Sequence, residues 1–111
     1  MPRDSGQYLQ DILEAIGRIH SYVAGMDEDS FVRDTRTQDA VLRNLGVIGE
    51  AVTRLPDTID SSAPDVEWRK IRALRNILVH EYFGINLPIV WDVVQHKLGP
   101  VEAACRRLLA D

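Results

Sequence analysis

The sequence predicts an all-α fold, an antiparallel bundle of four main helices with one or two short helices added. Apolar residues recur at spacings of three and four along most of the chain, which is the period of one helix face. No stretch alternates apolar and polar residues as a half-buried strand does, and no internal repeat is present. Because 111 residues suffice for one hydrophobic core, we expect a single helical domain that covers residues 1–111.

The first helix is expected to begin at Asp4 or Ser5, either of which can accept hydrogen bonds from free backbone N–H groups, and to stop at Gly25. A short capped turn of helix is expected between Asp27 and Asp34. The apolar face of the first helix consists of Leu9, Ile12, Leu13, Ile16, Ile19 and Val23. The apolar residues of the short turn, expected to face inward, are Phe31 and Val32.

The longest helix is expected to open at Thr35 or Thr37 and to end at Pro56, since proline cannot continue a helix. Two glycines, Gly46 and Gly49, lie inside it, and each costs about 1 kcal/mol relative to alanine. Such a cost suggests that another helix approaches closely, within the chain or across a dimer. The buried face of this helix is predicted to contain Val41, Leu45, Ile48, Val52 and Leu55.

The second half of the chain begins with a loop-like tract from Pro56 to Asp65, in which Asp57 to Ser62 can form a short turn of helix. Asp65 is then expected to cap a helix from Trp68 to His80. A turn near Gly84 leads to a final helical region with a joint at Gly99–Pro100. The core-facing residues of the Trp68 helix are predicted to be Ile71, Leu74, Ile77 and Leu78. Cys105 lies at helical spacing among apolar residues, which favours a buried hydrophobe over a nucleophile.

A polar stripe lies on the Trp68 helix, because Arg72, Asn76 and His80 follow one another at intervals of four, with Arg75 one position round. Four of the 13 lysines and arginines, and none of the 17 acidic residues, fall between Trp68 and His80, although the formal net charge is −4. These four basic residues can hold a phosphate, or they can pair with carboxylates of neighbouring helices, for which Glu50 is a candidate.

Histidine and arginine on one helix face are suited to RNA cleavage. An imidazole with a pKa near 6.5 can take a proton from one oxygen and return it to another, and a guanidinium can hold a phosphate by two parallel hydrogen bonds. RNA supplies its own nucleophile, the 2′-hydroxyl, so neither step requires a metal. The sequence contains no metal-ligand spacing, phosphate-binding loop or serine elbow, and His20 and His96 are expected to be surface residues. The spacing alone leaves open a purely structural role for the stripe.

The motif Arg75-x4-His80-x-Tyr82 resembles that of the HepT-like toxins, the former DUF86 group within the HEPN superfamily. The similarity extends over further blocks, in order Asp11-Ile-Leu-Glu-Ala-Ile, Thr37-Gln-Asp-Ala-Val-Leu-Arg-Asn-Leu, Ile48-Gly-Glu-Ala, Trp68 to Gly84 and Val90-Trp91. The resemblance implies a homodimeric helical bundle that acts as a metal-independent endoribonuclease toxin in bacteria or archaea. It implies no cofactor, and a minimal nucleotidyltransferase antitoxin as the partner protein besides the RNA substrate.

The resemblance also implies roles for individual residues. Arg75 and His80 would be the catalytic pair, with Asn76 as a polar neighbour that shapes the site, and Tyr82 would be the residue that the antitoxin adenylylates. Arg72, on the same stripe, is a candidate for substrate binding. Two other hypotheses remain: a non-catalytic helical module that dimerises or docks a nucleotidyltransferase, and a nucleotide-accepting regulator in which Tyr82 matters and His80 does not.

The location of the protein is expected to be the cytoplasm, without membrane contact. The amino-terminal residues Met-Pro-Arg-Asp-Ser-Gly contain no apolar leader segment, and no run of the chain approaches eighteen uninterrupted apolar residues. The composition of 45% hydrophobic, 27% charged and 6% aromatic residues is typical of a folded helical protein rather than a disordered one.

Overall fold

A computed structural model describes residues 4–79 and 85–111, without the side chains of Leu78 and Val79. All regular structure in these ranges is helical, which confirms the predicted all-α bundle. The helices are α1 (Ser5–Val23), α2 (Glu28–Val32), α3 (Thr35–Thr53), α4 (Ile59–Ser62), α5 (Trp68–Arg72), α6 (Asn76–Val79), α7 (Leu87–Asp92) and α8 (Leu98–Ala110). A 3₁₀ turn at Ala73–Arg75 joins α5 to α6, and a π-helical turn at Val93–Lys97 joins α7 to α8.

The core lies between α1 and α3, which pack along each other, with α8 against α1 and the α5–α6 segment against α3. The apolar stripes predicted for α1 and α3 supply most of its buried side chains, and Ile12, Ile16, Val41 and Ile48 have no exposed surface. Fully burying such a side chain stabilises the fold by roughly 1.5–3 kcal/mol. No helix in the described ranges has the length and apolarity that a membrane crossing requires.

Aspartates cap the three helices of the first half of the chain, because each extended aspartate can turn its carboxylate back onto a free N–H group. Asp4 accepts a hydrogen bond from the Gln7 N–H at 3.0 Å, and Asp27 accepts one from the Ser30 N–H at 2.8 Å. Asp34 accepts one from the Thr37 N–H at 3.0 Å and caps α3, which begins at Thr35 as predicted. The chain leaves α1 through Gly25, whose φ of +78° suits glycine.

The Asp34 cap makes stability sensitive to acid. The hydrogen bond from the Thr37 backbone N–H holds the pKa of Asp34 below its usual 3.8. A lowered folded-state pKa means that the stabilisation is complete above about pH 4 and is lost as the pH falls through the folded pKa.

Asp34→Asn keeps an acceptor oxygen but cannot titrate, so its melting temperature should fall less steeply below pH 4 than that of the wild type. Thermal unfolding between pH 2.5 and pH 7 measures this, and Asp34→Ala should be less stable at neutral pH. Equal acid slopes for the wild type and Asp34→Asn would contradict the prediction.

Two local predictions from the sequence are wrong. Asp65 does not cap α5: Glu67 occupies the N-cap position without a side-chain hydrogen bond, and Asp65 lies 3.7 Å from the Arg107 guanidinium instead. Val32 was expected to face inward with Phe31, but 41% of it is exposed while Phe31 is completely buried. A helix as short as α2 has room for one inward-facing aromatic residue, and its neighbour in sequence points roughly 100° away.

The joint in the last helical region lies one turn earlier than predicted. The π-helical turn covers Val93–Lys97, whereas Gly99 and Pro100 lie inside the first turn of α8. Pro100 has no N–H to donate, and its ring would collide with the carbonyl four residues earlier, that of His96. Widening the helix over the preceding turn relieves this collision, as π-bulges do elsewhere. Pro100 therefore causes the change in helix type, but that change occurs about one turn before the proline.

Candidate active site

Arg75 lies in the 3₁₀ turn between α5 and α6, where the segment from Trp68 was predicted to be one continuous helix. That prediction is wrong at residues 73–75, where the helix tightens. Arg75 has a half-exposed side chain, and its Nε lies 3.9 Å from Glu50 Oε2 on α3. Among the described residues, no acceptor forms a hydrogen bond with the guanidinium of Arg75. Within residues 4–79 and 85–111, its terminal nitrogens are therefore available to donate to a ligand.

Glu50 holds a second arginine with its other carboxylate oxygen. Arg54, one turn along α3, donates to Glu50 Oε1 from Nε at 3.2 Å, and its terminal NH2 lies 3.1 Å from the same oxygen. The predicted pairing of Glu50 with an arginine of the Trp68 helix is thus confirmed for Arg75. Arg54 was missed, although its spacing of four residues from Glu50 is the usual signal for a side-chain pair on one helix.

Gly49 allows α3 and the 3₁₀ turn at Ala73–Arg75 to come into contact. A Cβ atom on Gly49 would lie 2.7 Å from the Leu74 carbonyl carbon, and nearer still to the Arg75 backbone nitrogen. The 3₁₀ turn thus passes directly over the Gly49 backbone at a separation that no other residue allows. This confirms the close helix approach predicted from the glycines of α3. It also places Glu50, the next residue, beside the turn that contains Arg75.

Arg72 points away from this group. Its NH1 lies 3.4 Å from Asp60 Oδ1 on α4, and its NH2 is buried without a hydrogen-bond partner in the described part of the chain. The sequence placed Arg72 in line with Asn76, which is exposed on α6. Three residues of 3₁₀ helix turn the following chain by about 60° relative to an α-helix, so a spacing of four residues across this turn no longer predicts one common face.

His80 and Tyr82 lie outside the described residues, and the structure therefore leaves their assigned roles as predictions. The other two histidines are at the surface, as expected: His20 is exposed on α1, and the side chain of His96 is 71% exposed, 3.9 Å from Asp92. Over residues 4–79 and 85–111, no three histidine, cysteine, aspartate or glutamate side chains are grouped so that they could hold a metal ion.

Cys105 is completely buried in α8, which confirms its prediction as a core residue. Burial, with a smaller contribution from the nearby Glu102 carboxylate, raises the pKa of its thiol to about 12. The thiolate is the reactive form of cysteine, and at neutral pH almost none is present. Cys105 therefore has no place in the chemistry of the site.

A groove of about 380 Å³ lies between α5 and the π-helical turn. Leu74 borders this groove, but Arg75 and Glu50 do not. Both acidic and basic side chains line it, and Lys70 pairs with Glu67 at 2.7 Å. The arginine group around Glu50 is separate from this groove, and its side chains are partly exposed, 61% for Arg54, 43% for Glu50 and 48% for Arg75.

Residues 12–108 match the family model described as Ribonuclease HepT-like. A protein of Methanocaldococcus jannaschii named "Putative RNase MJ0127" is 44% identical over 99 residues, which are 88% of this chain and 82% of that protein. The "Probable ribonuclease HepT" of Thermococcus cleftensis is 32% identical over 97% of this chain and 98% of its own length. A solved structure, "Crystal structure of the toxin-antitoxin with AMP-PNP", matches 95% of this chain and 96% of its own with a TM-score of 0.70 at 28% identity.

Proposed function

Because this chain belongs to the HepT-like ribonuclease family, we propose that it is an endoribonuclease that acts as the toxin of a toxin–antitoxin pair. The observation that supports this proposal is the arrangement of Arg75, whose Nε lies 3.9 Å from Glu50 and whose terminal nitrogens have no hydrogen-bond acceptor in the described part of the chain. A guanidinium presented in this way suits a phosphodiester, which accepts two parallel hydrogen bonds. The whole chain would act as one domain.

The proposed reaction needs no metal. Arg75 binds the non-bridging phosphoryl oxygens and stabilises the charge that develops on them in the transition state. His80, five residues later, removes the proton of the 2′-hydroxyl, whose oxygen attacks the adjacent phosphorus. The bond to the 5′-oxygen breaks, and that oxygen receives a proton from an imidazolium. The products are a 2′,3′-cyclic phosphate and a free 5′-hydroxyl.

A homodimer accounts for both proton transfers. One imidazole can act as the base and a second as the acid, and a symmetric dimer brings two copies of Arg75 and His80 to one cleft. Asn76, exposed beside Arg75 on α6, is a candidate for contact with the RNA backbone. Arg72 would serve the reaction less directly, since it is engaged with Asp60.

The partner in this proposal is a minimal nucleotidyltransferase that silences the toxin. The Tyr82 phenol oxygen would lose its proton to solvent and attack the α-phosphorus of ATP, with pyrophosphate leaving and AMP becoming attached. The added negative charge and bulk, seven residues from Arg75, would oppose binding of an RNA phosphate. The similar solved structure, "Crystal structure of the toxin-antitoxin with AMP-PNP", supports a partner of this kind.

The proposal is tested with purified protein on transfer RNA and total RNA in the presence of EDTA. The protein must first be shown by mass spectrometry to be unmodified at Tyr82, and by light scattering to be dimeric. We expect cleavage that survives chelation and leaves cyclic phosphate ends. An unmodified dimer that cuts no RNA would contradict the proposal and favour the docking module instead.

A further inference from the structure

The carboxylate of Glu50 joins two arginines from different parts of the fold. Oε1 accepts hydrogen bonds from Arg54 on the same helix, and Oε2 faces the Nε of Arg75 on the neighbouring turn. Other glutamate–arginine pairs of the described chain, Glu14 with Arg18 and Glu102 with Arg106, each stay on one helix. The Glu50–Arg75 pair therefore differs from a pair within one helix, because it links α3 to the turn that contains the proposed catalytic arginine.

The backbones on either side of this link are in direct contact. Gly49 allows α3 to touch the backbone of Leu74 and Arg75, so the distance between the Glu50 and Arg75 main chains is determined by direct contact. Arg54 holds the carboxylate from the other side. Because Arg54 holds the carboxylate that Arg75 faces, fewer conformations are open to the Arg75 side chain.

Among the described residues, the terminal nitrogens of Arg75 have no hydrogen-bond acceptor. Glu50 faces Nε, so the NH1 and NH2 groups of Arg75 can form a two-pronged contact with a phosphate. The charges of Arg54, Glu50 and Arg75 sum to one positive charge, so the cluster still attracts an anion. The carboxylate nevertheless lies near the phosphate and repels it, which lowers affinity in exchange for orientation.

We propose that Glu50 is a positioning residue for Arg75, which directs the guanidinium at the scissile phosphate of RNA. This inference rests on the proposed ribonuclease function. In this proposal Glu50 orients the Arg75 guanidinium in the transition state and does not contribute to substrate affinity. Removing the carboxylate charge should therefore lower kcat, while KM stays the same or falls because a repulsion is lost.

The test compares Glu50→Gln with Glu14→Gln, whose wild-type glutamate also pairs with an arginine four residues later on an exposed helix face. We expect Glu50→Gln to lower kcat by about tenfold without raising KM. Glu14→Gln should match the wild type in both constants. Glu50→Asp keeps the charge but is shorter by one methylene, so its kcat should lie between those of the wild type and Glu50→Gln. Melting temperatures and dimer mass are measured for every variant, at an assay temperature well below unfolding.

The outcomes separate this inference from the function on which it rests. A wild type without cleavage would overturn the proposed function. A cleaving wild type with an unchanged kcat in Glu50→Gln would overturn only the role of Glu50. A higher KM at constant kcat would also overturn it, since that result makes Glu50 a binding residue. A loss of kcat that only follows a lower melting temperature would do the same.

Discussion

His80→Ala is expected to lose RNA cleavage by roughly 10²–10⁴-fold, because the variant has no group at that position to move a proton at neutral pH. The loss should appear in kcat, since Arg75 still binds the phosphate. Cleavage of transfer RNA in EDTA, with product formation followed by gel electrophoresis, measures the effect. Growth arrest on expression should disappear with the activity.

The matched control is His96→Ala, which removes an imidazole that is 71% exposed on the π-helical turn. It should cleave RNA as the wild type does, and both variants should remain dimers of unchanged melting temperature. Wild-type activity in His80→Ala would refute the catalytic assignment. Dissociation or unfolding of that variant would point to a structural role for the histidine in the interface.

Gly49→Ala is expected to lower the free energy of unfolding by about 1–3 kcal/mol, although alanine is intrinsically the better helix former. The new methyl group would fall 2.7 Å from the Leu74 carbonyl carbon, so the backbone of the 3₁₀ turn must move. This shift also displaces Arg75, and cleavage should fall even where the variant is fully folded. Urea unfolding followed by circular dichroism measures the first effect, and RNA cleavage at low temperature measures the second.

Gly17→Ala provides the comparison, since Gly17 lies within α1 and a Cβ there meets no atom within 4 Å. This substitution should stabilise the protein by up to about 1 kcal/mol through helix propensity alone. Both substitutions replace glycine with alanine inside a helix, yet their effects on the free energy of unfolding should have opposite signs. If both stabilise the protein, the contact between Gly49 and the Arg75 turn is not tight in solution.

Much of the bundle could be predicted from the sequence. The spacing of apolar residues located α1 and α3, and most residues of their predicted stripes are fully buried. The glycines of α3 predicted a close approach, which occurs at Gly49, and the excess of positive charge on the Trp68 helix indicated Glu50 as a partner. These predictions succeeded because periodicity, burial and charge balance depend on residue types at known separations along one chain.

The wrong predictions concern places where a contact between two segments of the chain decides the local geometry. No local signal marked the 3₁₀ turn at Ala73–Arg75, because its residues fit an α-helix equally well. Likewise, Arg72 was placed on the stripe of Asn76, but the turn rotates the chain between them and Asp60 is the partner within reach. Asp65 has the right side chain for a cap, yet its backbone position puts it beside Arg107.

The sequence alone therefore determined the helices, their buried faces and the residue types that a phosphate site requires. Only the tertiary structure decided which arginine faces which carboxylate. That choice depends on the rotation of the helical segment about its own axis, which follows from how closely α3 and the Arg75 turn can approach at Gly49. A contact between backbones distant in sequence has no periodic signature along the chain, so packing alone places Arg75 beside Glu50.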